Sequence, residues 1–150
     1  MAYWVKIIDD QKQYLVNLER VGAFCTESNK RIRFWLPETG QPIIINAQSN
    51  PNDYEKLWHY LDLIASQVSP TFWIKIYYER RNYLINLERV HTFVCDQGQR
   101  ITFWLPDALE PIVLSPQSYP EIYQDIQNHI ERVTGHRFSD FPVKLSSRVA

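Results

Sequence analysis

Tyr14-Leu15-Val16-Asn17-Leu18-Glu19-Arg20-Val21 and Tyr83-Leu84-Ile85-Asn86-Leu87-Glu88-Arg89-Val90 are nearly the same string, 69 residues apart. Sliding the chain by that interval also lays Arg31-Ile32-Arg33-Phe34-Trp35-Leu36-Pro37 on Arg100-Ile101-Thr102-Phe103-Trp104-Leu105-Pro106. Between residues 4–62 and 73–131, 23 of 59 positions are identical without a gap. Self-similarity at a fixed interval is the mark of a repeat, so the 150-residue chain reads as a tandem duplication.

Within one copy, Val5 and Ile7 alternate with Trp4, Lys6 and Ile8. Further short apolar runs follow at Tyr14–Leu18, Val21–Thr26, Arg31–Leu36 and Pro42–Ile45, separated by hairpin-sized polar gaps. The period then changes. Tyr54, Leu57, Trp58, Leu61, Ile64, Ala65 and Val68 recur at three and four, behind Asn50-Pro51 as cap and first helical residue. In the second copy Pro120 precedes Ile122, Tyr123, Ile126, Ile130 and Val133, and Gly135 ends the pattern.

The expected fold is therefore α+β and β-rich: a tandem duplication of a five-stranded antiparallel β unit followed by one α-helix. A unit of about 65 residues is marginal alone, so the two are expected to pack about a pseudo-twofold axis, giving a monomer with pseudo-dimeric internal symmetry. The boundaries fall at 1–69, 70–131 and a basic tail at 132–150, with the seam in Ser66–Thr71. The tail carries Arg132, Arg137, Lys144 and Arg148 against Asp140, four minus one or +3, on a chain of net charge −1. Phe138, Phe141, Val143 and Leu145 would dock it on the body.

The composition excludes much. The four glycines stand too far apart for a phosphate-cradling loop, and no Gly-x-Ser-x-Gly is present. No two of the four histidines stand three or four residues apart, and the one histidine four from a cysteine, His91 before Cys95, is a single pair rather than a ligand set, so no metal and no cofactor are expected. Cys25 and Cys95 read as free thiols, buried or half-buried. The first ten residues do not read as a secretory signal, and no apolar run is long enough to span a membrane. A cytoplasmic, non-enzymatic protein without a membrane partner is the expectation.

Both copies hold Trp, Lys, Arg and Trp at matching positions, facing away from the apolar side of their strands: Trp4, Lys6, Arg31, Arg33 and Trp35, then Trp73, Lys75, Arg100 and Trp104. If open, these nine form a binding surface, since indoles stack on rings and cations meet phosphates or carboxylates. If closed, they form the interface between repeats, with the arginines over the indoles or paired with Glu19 and Glu88. Asn17 and Asn86 are expected to end a strand in a turn, each side chain bonding the backbone two residues on. Gln48-Ser49 and Gln117-Ser118 read as helix caps.

The spacing Asn17-x3-Val21-x2-Phe24, with Ile32-x-Phe34 and Ile43-x-Ile45, resembles the small flagellar protein family FlbD over about 50 residues. The order of five strands and a helix, with Glu121-Ile122-Tyr123-Gln124 opening the second helix, resembles the carbon-storage regulator family, dimeric regulators that bind messenger RNA. That family presents an arginine after its fifth strand, where this chain reads Ile45-Asn46-Ala47 and Leu114-Ser115-Pro116. The function expected is an interaction or regulatory module that recognises another protein through the aromatic and cationic face and the basic tail. The alternative is a single-stranded RNA-binding regulator using the same face.

Overall fold

The computed structural model describes residues 3–66 and 72–139. The linker at the expected seam and most of the basic tail, with Phe141, Val143 and Leu145, lie outside the described residues. The fold is α+β: among the described residues there are ten strands in antiparallel sheets and two 15-residue helices. The order is β1 (Trp4–Asp9), β2 (Lys12–Asn17), β3 (Ala23–Glu27), β4 (Arg31–Trp35), β5 (Pro42–Asn46) and α1 (Pro51–Ala65). It continues with β6 (Trp73–Tyr78), β7 (Arg81–Asn86), β8 (Val94–Cys95), β9 (Ile101–Trp104), β10 (Pro111–Leu114) and α2 (Pro120–Thr134).

The order of elements repeats; the sheets do not. Instead of two five-stranded sheets there are a two-stranded sheet β1-β2, a five-stranded sheet in the order β5-β4-β3-β7-β6, and a three-stranded sheet β10-β9-β8. The five-stranded sheet is mixed in origin. β3 pairs with β4 on one side and with β7 on the other, through Ala23↔Ile85, Phe24↔Leu84, Cys25↔Tyr83 and Thr26↔Asn82. The reason is local. After β2, Leu18–Arg20 coil into a single 3-10 turn that carries the chain off the hairpin, so β3 does not continue the β1-β2 ladder and its free edge takes β7. Backbone donors and acceptors at a strand edge must be met somewhere.

The turns are near copies. Asp10 and Gln11, then Glu79 and Arg80, join their strands with positive φ at both positions (51° and 62°; 49° and 70°), the two-residue turn that matches strand twist. Lys30 and Gln99, 69 residues apart, both sit at positive φ in the next hairpin. Asn17 and Asn86 behave as their sequence suggests: each Oδ1 accepts from the N–H two residues on, at 3.1 Å from Glu19 and 3.0 Å from Glu88.

One compact unit comprises, among the described residues, 3–66, 72–91 and 104–110, a grouping that differs from the repeat boundaries. Its core joins Val5, Ile7 and Val16 of the first hairpin to Phe24, Ile32, Phe34, Ile43, Ile45 and Leu84 of the five-stranded sheet. Leu57, Tyr60, Leu61 and Ile64 of α1 complete it. The helix starts at Pro51, as the sequence implies, but Asn50 makes no side-chain cap bond. Asn46 Oδ1 accepts from Gln48 N–H (2.7 Å) instead. Trp58, expected on the core stripe, is half exposed, and Tyr60 takes the inward place.

The other unit comprises, among the described residues, 92–103 and 111–139. Ile101, Phe103, Ile112 and Leu114 are buried with Tyr123, Ile126 and Ile130 of α2. The Tyr123 hydroxyl donates to the Gln99 carbonyl at 2.6 Å. α2 ends where the sequence predicts, at Gly135, left-handed with φ 78° and bonded to the Glu131 carbonyl. Of the tail, Phe138 is held through its backbone by the Gln127 side chain at 3.2 and 3.3 Å. β8 has only two residues, where β3 has five. β3 is paired along both edges and β8 along one.

Candidate functional site

Eight of the nine residues singled out from sequence lie in one unit and do not share one surface, and Arg100 belongs to the other unit. Alternation along each strand is as expected, but the strands that carry them turn different ways. Trp4 (63% exposed) and Lys6 lie on the outer face of the β1-β2 hairpin, whose inner residues Val5, Ile7 and Val16 enter the core. Trp73 and Lys75 fall, by register with Leu84, on the α1 side of the five-stranded sheet. Arg31, Arg33 and Trp35 occupy the opposite side of that sheet with Cys25 and Glu27. Trp35 is buried while Trp104 is 38% exposed, so the two matching indoles have diverged. Arg100 is engaged with Asp96 at 2.8 Å.

Two features emerge. The first is a patch on the first hairpin. The register places Lys6 opposite Leu15 and Ile8 opposite Gln13. Trp4, Ile8 (55%) and Leu15 (72%) are all exposed. A concavity of about 460 Å³ adjoins Trp4 and Leu15, lined also by Tyr14, Arg20, Leu36 and Glu38. Several large apolar side chains standing open on one small face are uncommon unless the face is used.

The second is a cluster of charge. Glu27, nearly buried, forms ion pairs with Arg31 through Oε1 (3.1 Å) and with both Arg33 and Arg81 through Oε2 (3.3 Å each), Arg33 also donating a hydrogen bond. These replace the pairing with Glu19 and Glu88 expected for the arginines. Arg81 reaches Glu27 because β7 lies beside β3, which brings the β6-β7 and β3-β4 hairpin tips to one end of the sheet. A hydrogen bond donated by its own guanidinium to the Tyr83 oxygen is the main influence raising the Arg81 pKa. Burial raises Tyr83 and pushes the neighbouring Cys25 thiol up to about 11, with Glu27 acting on Cys25 in the same sense. Arg33 Nε is buried without a hydrogen-bond partner among the described residues.

Sequence reasoning treated Glu27 as part of a polar gap and overlooked Arg81. A signal was present. Glu27/Arg31 and Asp96/Arg100 are the same acid-and-arginine pair, four apart, across the same turn in both copies. Arg81 carries no such mark, since it meets Glu27 only when strands from different copies pair.

No protein-family model matches the chain, and no curated protein matches it; the two single-repeat resemblances are carried no further. Among solved structures, the LytTr DNA-binding domain of a putative methyl-accepting/DNA response regulator from Bacillus cereus is similar. It is 15% identical, with 82% of this chain and 94% of that one covered and a TM-score of 0.45. Among the described residues, no helix is long and apolar enough to cross a membrane.

Proposed function

We propose that this chain is a non-enzymatic interaction module that recognises another protein through the outer face of its first hairpin. The observation that carries the reading is the contrast between equivalent leucines. Leu15 is 72% exposed; Leu84, its counterpart in the second copy, is 9% exposed. The Leu84 face is met by α1 and the Leu15 face stands open, as a duplicated unit would have it once one copy's hairpin is turned to binding. The partner implied is an amphipathic helix, the kind of element that meets the sister face, with an acidic residue for Lys6. Trp is a frequent anchor at such contacts.

The test replaces Leu15 by a photo-crosslinking phenylalanine derivative, with the full chain expressed in its host. A discrete protein adduct is expected at position 15, lost on Trp4→Glu and absent when the crosslinker stands at Lys12. Equal labelling at positions 15 and 12, or labelling indifferent to Trp4→Glu, overturns the reading.

A further inference from the structure

The five-stranded sheet is wider than the helix that covers it. Five strands at about 4.8 Å spacing span roughly 20 Å, and one helix covers about 10 Å. α1 lies over β5, β4 and β3, where Ile43, Ile45, Ile32, Phe34 and Phe24 are all buried. Leu84 of β7 still joins the core that α1 completes, but Lys75 and Tyr77 of β6, on the same face, are exposed beyond the helix. There the structure holds a cavity of about 360 Å³, inside the range of small-molecule sites.

The residues around this cavity have a definite chemistry. Phe24 and Leu84 are apolar and buried, whereas Trp58 and Tyr77 are 50% and 62% exposed. Trp58 lies in α1, one residue after the inward Leu57, and stacks nearly parallel to Tyr54 at a 12° interplanar angle. The lining also holds one ammonium, Lys75, and one carboxylate, Asp62. Among the described residues neither forms an ion pair. Opposite charges that line one cavity without meeting each other offer partners to a ligand that carries both signs.

We propose that the cavity between α1 and strands β6-β7 binds a small planar aromatic molecule bearing both an acid and an ammonium group, the chemistry of a free aromatic amino acid. The ring lies against Phe24 and Leu84 between Trp58 and Tyr77, the acid meets Lys75 and the ammonium meets Asp62. This site is separate from the β1-β2 face and does not depend on the protein-recognition reading.

Isothermal titration of the full chain with four probes tests the assignment: L-tryptophan, indole-3-acetate, tryptamine and 3-methylindole. They share a ring and differ only in which charges they carry. L-tryptophan is expected to bind tightest, with Kd roughly 0.1–1 mM for a ligand of this size. Lys75→Gln should weaken tryptophan and indole-3-acetate about three- to fivefold and leave tryptamine and 3-methylindole unchanged. Asp62→Asn should weaken tryptophan and tryptamine by a similar factor and leave indole-3-acetate and 3-methylindole unchanged, on the scale of exposed charge pairs. Ala65→Phe, at an exposed lining position, should block all four at an unchanged melting temperature. Equal affinity for tryptophan and 3-methylindole, charge variants without effect, or no binding by any probe overturns the proposal.

Discussion

The hairpins β1-β2 and β6-β7 are one design in two settings. They share the two-residue turn with positive φ at both places, the Asn that caps the following 3-10 turn, and the order Trp-x-Lys-x along the first strand. In β6-β7, strand β7 pairs with β3, and the face carrying Leu84 becomes floor for α1. In β1-β2, strand β2 pairs only with β1 among the described residues, and the face carrying Leu15 stays open. Local sequence dictated the shape of each hairpin. Which edge found a partner dictated which side chains were buried, and with that the candidate functional surface.

The strongest way to break this comparison is to remove the buried side chain. Leu84→Ala takes a leucine from the core where β7, β3 and α1 meet, and an expected loss of about 2–4 kcal/mol follows from the transfer and cavity costs. Urea denaturation measures it. A loss below about 1 kcal/mol would mean that β7 is not part of the central sheet.

The acid-and-arginine pair gives a second comparison. Glu27 is nearly enclosed and faces three guanidinium groups, while Asp96 faces Arg100 alone at an exposed tip. Glu27→Gln leaves three positive charges together without their carboxylate, and about 2 kcal/mol of stability should go. Asp96→Asn should leave the denaturation midpoint where it is. Equal effects from the two would show that Glu27 gains nothing from β7's arginine.

Cys25 sharpens the same contrast through pH. Burial holds its thiol near 11 in the folded protein against 9.0 in the open chain. The folded state keeps the proton more tightly, so this stability is whole below pH 9 and falls as pH rises from 9 to about 11. About 1–2 kcal/mol is expected over that window. Tyr60, raised to about 12 by burial, loses stability in the same direction from its ordinary 10 upward. Comparing the slope of unfolding free energy against pH in Cys25→Ala and the parent separates the two. A parent whose stability is flat between pH 9 and 10 contradicts the Cys25 assignment.

What was legible in the sequence was local. Alternation placed Val5, Ile7, Ile32 and Phe34 in the interior together with Ile101 and Phe103, whereas in β6 it is Trp73 and Lys75, not Ile74 and Ile76, that lie on the α1 side. The Asn17 and Asn86 turns, the Pro51 and Pro120 helix starts and the Gly135 stop all follow from short-range chemistry. Strand pairing between the copies was not legible, because β3 carries nothing that names β7 as its neighbour. That one pairing scattered the nine candidate residues over several faces, brought Arg81 to Glu27, and widened the central sheet beyond the reach of a single helix. Trp58 misled for a related reason. It sits at a spacing that fits the α1 core stripe, but α1 uses Tyr60 for the sheet and leaves Trp58 at the margin of the uncovered strands.

The smallest expected effect is the most telling about function. Leu15→Ala and Trp4→Ala remove large apolar side chains, yet both residues are mostly in water already, so each should change stability by less than about 0.5 kcal/mol. Set beside Leu84→Ala, this separates two leucines that the repeat makes equivalent. If the face evolved to support the fold, its residues would show a cost on denaturation. If it serves recognition, the fold is indifferent and the loss falls on complex formation, read as the crosslinked adduct at position 15 that Trp4→Glu abolishes. A Leu15→Ala variant destabilised by 2 kcal/mol or more, in the range of its buried sister, would place the first hairpin's outer face in the core and remove the ground for a docking surface there.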